Sequence, residues 1–223
     1  WFHSGHDNQY PDLEVSPTMG GAEGLKAGIR AIQAKGGHVT LYYQGHLIDM
    51  GSPFYTSGKG QRMAGKSRWG TPYFEEYSKY SESDFLRRYS RKIFVTVCPW
   101  CKEWRDLMAE RADWVRSFGA DGILYDQIGG INPTPCFDKT HGHTKPSLSY
   151  AQGRLRLLPA IRQSVDKYDG YSFMTETITD VYSQFIDCIH GIGSRYGAKA
   201  ERAEFVKKPA PRAFNMPEMF RQT

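Results

Sequence analysis

Two carboxylates in this chain stand where parallel α/β proteins place their chemistry. Asp126 closes the run Gly122-Ile-Leu-Tyr-Asp126, and Glu176 closes Tyr171-Ser-Phe-Met-Thr-Glu176. Short apolar runs of this kind read as buried strands. A charge at the C-terminal end of such a strand must be solvated, paired or used. Set one helix-and-strand unit apart, the two acids are expected on adjacent strands, projecting into one cleft. Hydrolysis of a glycosidic bond needs such a pair: one group protonates the leaving oxygen, and the other attacks the anomeric carbon or activates water. A capping or loop-fixing acid is the plain alternative for either residue, so the shared placement is the more specific signal.

Around this pair the expected substrate contacts come from the opening segment and the strand ends. Trp1, His3, His6, Asp7 and Tyr10 lie in the first ten residues, Tyr42 and Gln44 end the run Leu41-Tyr-Tyr-Gln44, and Tyr125 and Gln127 flank Asp126. Hydroxyl-rich ligands are held by convergent hydrogen-bonding groups beside flat aromatic faces. Asp180 either orients Glu176 or caps a helix near Val181. The spacing of His3, His6 and Asp7 matches no strong metal signature, so neither a metal nor any other cofactor is expected. Cys98-Pro-Trp-Cys101 follows the strand-like Ile93 to Val97 and opens a helix, as redox dithiols do. A dithiol domain would leave most of the chain unexplained, so a buried or strand-end pair near Trp100 and Trp104 is the preferred reading.

Three repeats of one pattern position these residues: an amphipathic helix, a glycine stop and a β-branched or aromatic run. The helices are expected at about Ala22 to Lys35, Glu103 to Phe118 and Ser147 to about Gly170, with Pro159 bending the third. Leu25, Ile29 and Ile32 mark the inward face of the first, Trp104, Leu107, Met108, Val115 and Phe118 that of the second, and Leu148, Ala151, Leu155, Leu158, Ile161 and Val165 that of the third. The runs that follow begin at His38, Gly122 and Tyr171. Helices alternating with wholly apolar strands predict a parallel sheet covered by helices. The leading architecture is a (β/α)₈ TIM-type barrel, with an open doubly wound sheet as runner-up. Four or five strands are legible where a full barrel has eight, so residues 1–223 read as a single partial barrel domain. Long connections at 44–92 and 127–146 follow strand ends on the expected site face, and loops of that length are uncommon without a function.

The 223 residues are 39% hydrophobic, enough to bury one core, and no apolar run approaches the roughly 20 residues that cross a bilayer. The net charge of +5 is spread along the chain apart from Arg87, Arg88, Arg91 and Lys92, which read as a solvated face, so no nucleic-acid partner is expected. The opening Trp1 falls inside a motif, which reads as a segment of a longer chain and leaves localisation and oligomeric state open.

The stretches Trp1 to Asp12, Ser16-Pro-Thr-Met-Gly-Gly21, Leu41-Tyr-Tyr-Gln-Gly45, Gly119-Ala-Asp-Gly-Ile-Leu-Tyr-Asp-Gln127 and Thr175-Glu176 resemble a family of glycoside-hydrolase-like TIM-barrel domains. That family is distantly similar to the α-amylase and endo-α-N-acetylgalactosaminidase enzymes. The resemblance implies a carbohydrate substrate and a retaining mechanism, with an Asp ending one strand as nucleophile and a Glu ending the next as acid/base; Asp126 and Glu176 match in order and placement. A barrel that binds carbohydrate without cleaving it uses the same groups and is the alternative.

Overall fold

The computed structural model describes residues 1–77, 92–130, 134–176 and 179–190. Among these, Thr40–Gln44 (β1), Gly122–Asp126 (β5), Ser172–Thr175 (β6) and Cys188–Ile189 (β7) form a four-stranded sheet in the order β1-β5-β6-β7, and every pairing is parallel. The protein is therefore mixed α/β around a parallel sheet, as the alternation of helix and strand predicts.

The helices α1 (Gly21–Gln33), α4 (Lys102–Arg116) and α5 (Leu148–Val165) end within a few residues of their expected limits. In α4, Trp104, Met108, Ala112 and Val115 are buried at spacings of four, four and three, the stripe that a helix lays on a sheet. Full burial of side chains of this size stabilises by about 1.5–3 kcal/mol each. The hydroxyl of Tyr125 donates to the Met108 carbonyl, and that of Tyr171 to the Ala112 carbonyl at 3.0 Å, pinning the sheet to α4. The buried face of α5 is Gly153, Arg154, Leu157, Leu158, Ile161 and Val165, whereas Leu155 is exposed. Leu155 thus sits on the wet side, and Arg154 takes the inward position expected of it. Ile32 of α1 is likewise exposed, leaving Ile29 as the buried residue of that helix.

The 44–92 connection carries structure of its own. It holds β2 (Leu47–Asp49), α2 (Pro53–Thr56), α3 (Lys59–Met63) and β3 (Phe74–Tyr77), and it leads into β4 (Lys92–Thr96). The expected strand Ile93 to Val97 corresponds to β4, but it is not part of the parallel sheet. It lies at the centre of a separate antiparallel sheet ordered β2-β4-β3. β2 pairs antiparallel with β4 across the long connection between them, which needs no helical crossover, so an apolar run alone does not reveal which sheet it joins. Gly45 is required where β1 ends: a Cβ there would stand 2.3 Å from Ile128 Cγ2 and 3.1 Å from the Asp126 carbonyl oxygen. The Arg87, Arg88 and Arg91 cluster lies outside the described residues.

Candidate active site

Strand register decides which side chains meet. Gln44 pairs with Asp126 and Tyr42 with Leu124, while Tyr43 pairs with Tyr125 and Tyr125 with Thr175. Side chains alternate along a strand, so Tyr42, Gln44 and Asp126 share the face turned away from α4, and Glu176 follows Thr175 onto the same face. Tyr125 takes the helix side, packing on Tyr43 and Phe173. Its expected role as a substrate contact is therefore corrected to that of a buried anchor, a consequence of the period of two.

Asp126 is buried and firmly held. Its Oδ2 accepts from the Tyr42 hydroxyl at 2.7 Å and from Gln44 Nε2 at 3.2 Å. Gln44 is itself fixed, because its Oε1 accepts the His46 backbone N–H at 2.9 Å. Asp126 Oδ1 is buried and accepts no hydrogen bond among the described residues. Glu176 lies beside Asp126, and when protonated its carboxyl can donate to that neighbour. Burial comes first in raising the Glu176 pKa, followed by the hydrogen bond to Asp126 and the negative charges of Asp126 and Asp7. Together they push it up to about 8.

The opening segment closes over this pair. The Tyr10 hydroxyl accepts the Asp7 backbone N–H at 2.9 Å and donates to the Tyr42 hydroxyl at 3.3 Å, making a relay from Asp7 through Tyr10 and Tyr42 to Asp126. Burial drives the pKa of both phenols well above the ordinary tyrosine value, so they remain protonated donors. The His6 ring lies 5.0 Å from that of Tyr42, and its Nε2 is 3.5 Å from Asp7 Oδ1. Asp7 (φ 55°) and Gln127 (φ 61°) hold left-handed backbone, uncommon for residues other than glycine and typical of site-forming segments.

Two expected contacts fall elsewhere, and a third, Asp180, is not tested by the described residues. Trp1 spends its indole N–H on the Tyr42 carbonyl at 3.0 Å and packs its ring on Phe2, Trp114 and Phe118, so it anchors the segment to α4. His3 is exposed and lines a separate groove of about 670 Å³ with Gln9, Asp12, Phe54, Lys59 and Arg111, which contains neither catalytic candidate. Asp180 begins the short helix α6 (Asp180–Ser183), whose N-cap is Thr179; the Asp180 side chain lies outside the described residues.

Two residues escaped the sequence reading. Glu75 and Tyr77 share one face of β3, and Gln127 Nε2 donates to the Tyr77 hydroxyl and, at 3.5 Å, to Glu75 Oε2. Burial raises the Glu75 pKa, with a smaller push from the Asp126 charge, and the Tyr77 hydroxyl feels Asp7 and Asp126. The antiparallel sheet thus brings a fourth carboxylate to the cleft. The run Phe74-Glu-Glu-Tyr77 shows no period of two in residue type, so no local signal marked them. From the other side, the fully buried Arg154 donates to the Gln127 carbonyl at 2.8 Å and to the Tyr150 hydroxyl at 2.6 Å.

The Cys98-Pro-Trp-Cys101 pair does not sit as a redox dithiol would. Cys101 precedes α4 and packs in the core, whereas Cys98 turns to Cys136.

The chain is similar to known proteins in sequence and in fold. The chain is 26% identical over 200 residues to a protein of Bacteroides thetaiotaomicron named "Putative glycoside hydrolase", covering 89% of this chain and 27% of that protein. It is 28% identical over 188 residues to "Putative glycoside hydrolase 22789" of Monosiga brevicollis, covering 83% and 15%. The chain thus spans about a quarter or less of these curated relatives. Among solved structures, the α-N-acetylgalactosaminidase NagBb from Bifidobacterium bifidum in complex with GalNAc superposes with a TM-score of 0.65 at 17% identity, covering 96% of this chain and 30% of that one. The α-galactosidase TtGalA from Thermus thermophilus in complex with stachyose gives 0.53 at 12% identity, covering 84% and 36%. The domain of unknown function DUF6259 matches residues 1–213, and the chain belongs to that family.

Proposed function

We propose that this chain is the catalytic part of a retaining glycoside hydrolase, its parallel sheet a segment of a (β/α)₈ barrel, with Asp126 as nucleophile and Glu176 as acid/base. The observation that carries this reading is the placement of the two carboxyl groups at the ends of adjacent parallel strands, close enough that Asp126 helps to push the Glu176 pKa up to about 8. Hydrogen-bonding reach is nearer the roughly 5 Å separation of retaining pairs than the 6.5–9.5 Å that admits a water between them.

The chemistry follows from the side chains. Tyr42 and Gln44 fix Asp126 Oδ2, and Oδ1 keeps its lone pairs for the anomeric carbon. As Oδ1 bonds to that carbon, the glycosidic bond breaks and Glu176 gives its proton to the departing oxygen. Once Asp126 is an ester its charge is gone, and with it part of what held the proton on Glu176. The acid then ionises and takes a proton from the incoming water, which displaces Asp126 with a second inversion. Asp7 and Glu75 add negative charge around a transition state whose sugar ring is positive.

The names of the two structural neighbours make terminal α-N-acetylgalactosaminides and α-galactosides the first substrates to test. Aryl forms of both, with α-glucosides and β-anomers beside them, would be incubated with the full-length protein. The expected result is turnover of an α-linked substrate whose first product retains the anomeric configuration by NMR. An inverted first product contradicts the mechanism, and turnover undiminished in Asp126→Ala removes the site.

A further inference from the structure

Outside the cleft, four side chains that bind transition metals converge. Cys98, Cys136, His141 and His143 each offer one ligand atom, and these atoms all lie within 4.8 Å of one another. Cys98 follows β4, and the other three come from the 127–146 connection as Cys136-x₄-His141-x-His143. We infer that these residues bind one zinc ion in a closed tetrahedral site. Nothing in this inference depends on the hydrolase reading.

The surroundings are arranged as a zinc site requires. Cys136 Sγ lies 3.4 Å from His141 Nδ1. His141 Nε2 sits 2.6 Å from the Arg62 carbonyl, an acceptor only, so the ring carries its proton on Nε2 and turns the bare Nδ1 lone pair toward the thiols. The Lys66 backbone N–H donates to Cys136 Sγ at 3.4 Å, which orients that thiol, and the Cys98 N–H donates to the Met63 carbonyl at 2.9 Å, which fixes the main chain at Cys98. His143 packs edge-on against Trp100 and His141, and its Nε2 is buried with no hydrogen-bond partner. Cys98 and Cys136 are both almost fully buried. A buried imidazole nitrogen without a partner is costly, and a metal bond removes that cost.

The donor set selects the ion. Two sulfurs and two imidazole nitrogens in a tetrahedral array fit zinc, whereas calcium and magnesium demand oxygen. Four protein ligands leave no open position, so the site is structural. Both cysteines bind as thiolates, releasing their protons to solvent. The ion ties the connection that begins one residue after Asp126 to the end of β4 and, through Arg62 and Lys66, to the α3 region. This assignment replaces the sequence expectation that the chain holds no metal: the ligands come from two segments 38 positions apart (136 − 98), and Cys98 pairs with Cys136 instead of Cys101.

Metal analysis of the full-length protein, purified without added chelator, tests the site. Cys136→Ser and His143→Ala are expected to contain one zinc equivalent fewer than the parent, and Cys101→Ala the same number. Should the ligand variants fail to fold, the parent protein decides. Cys98 and Cys136 should resist alkylation until zinc is stripped, and cobalt exchange should give the intense visible bands of a tetrahedral thiolate site. Either a zinc content unchanged in a folded Cys136→Ser or a Cys98–Cys136 disulfide in the parent overturns the assignment. So does rapid alkylation of both thiols in the untreated parent.

Discussion

Glu176 and Asp126 end neighbouring parallel strands, and Glu176 when protonated can donate to the Asp126 carboxyl group. The contact couples the charge of one acid to the reactivity of the other. A nucleophile that is negative only before glycosylation switches its neighbour between acid and base. Most of what can be tested follows from that coupling.

The first consequence is a pH profile. Glu176 must be protonated to act as an acid, and its pKa is pushed up to about 8 by burial and by Asp126. The value of kcat/KM should therefore fall as pH rises through about 8, and this basic limb should vanish in Glu176→Gln. A limb that persists in the variant belongs to another group. In that variant, aryl substrates with poor leaving groups should lose about 10²–10⁴-fold, and those with good leaving groups less.

The same ionisation affects stability, with a definite sign. The folded pKa of Glu176 is raised above its unfolded value, so the native state holds more protons in the window from about 4.5 to about 8. Stability is therefore highest below that window and declines as pH rises through it. Glu176→Gln should melt above the parent protein at pH 8 and close to it at pH 4.5. A variant that melts lower at pH 8 would show that the carboxyl group is not strained by ionisation.

Tyr42→Phe removes the 2.7 Å hydrogen bond to Asp126 Oδ2 and leaves the ring in place. Hydrogen bonds to charged groups contribute about 1.5–3 kcal/mol to stability, so the melting temperature should fall, and kcat/KM should fall by about 10-fold or more as Asp126 loses its fixed position. Equal rates for Tyr42→Phe and the parent would mean that the phenol does not position the nucleophile.

Gly153 tests the packing that supports this end of the fold. A Cβ at this position in α5 would meet the Trp100 nitrogen at 2.7 Å and the Pro99 carbonyl carbon at 3.0 Å, both backbone atoms. Gly153→Ala should destabilise by about 1–3 kcal/mol, against the gain in helix propensity expected on an exposed face. A stabilised variant would show that the Cys98 to Cys101 turn yields to the helix.

How much of this was legible in the chain depends on the range of the interaction. The helix and strand runs around Asp126 and Glu176 carry their periodicity locally, and the alternation along β1 puts Tyr42 and Gln44 on the same face as Asp126. The same alternation turns Tyr125 away, which adjacency to Asp126 concealed. Trp1 and His3 were read from residue type alone, and type does not say that an indole is packed against Trp114. Partners set by tertiary folding were not visible: β4 joins an antiparallel sheet, β3 delivers Glu75 and Tyr77, and Arg154 reaches the Gln127 carbonyl across 27 positions.

The identity of the nucleophile is the claim on which the rest depends, and covalent trapping addresses it directly. An activated 2-deoxy-2-fluoro glycoside of the sugar that the full-length protein turns over slows both steps and lets the glycosyl-enzyme accumulate. Peptide mapping by mass spectrometry should then find one sugar adduct on Asp126 in the Gly122–Asp126 strand. An adduct on any other residue would contradict the assignment, as would a protein that turns over its substrate yet is never labelled.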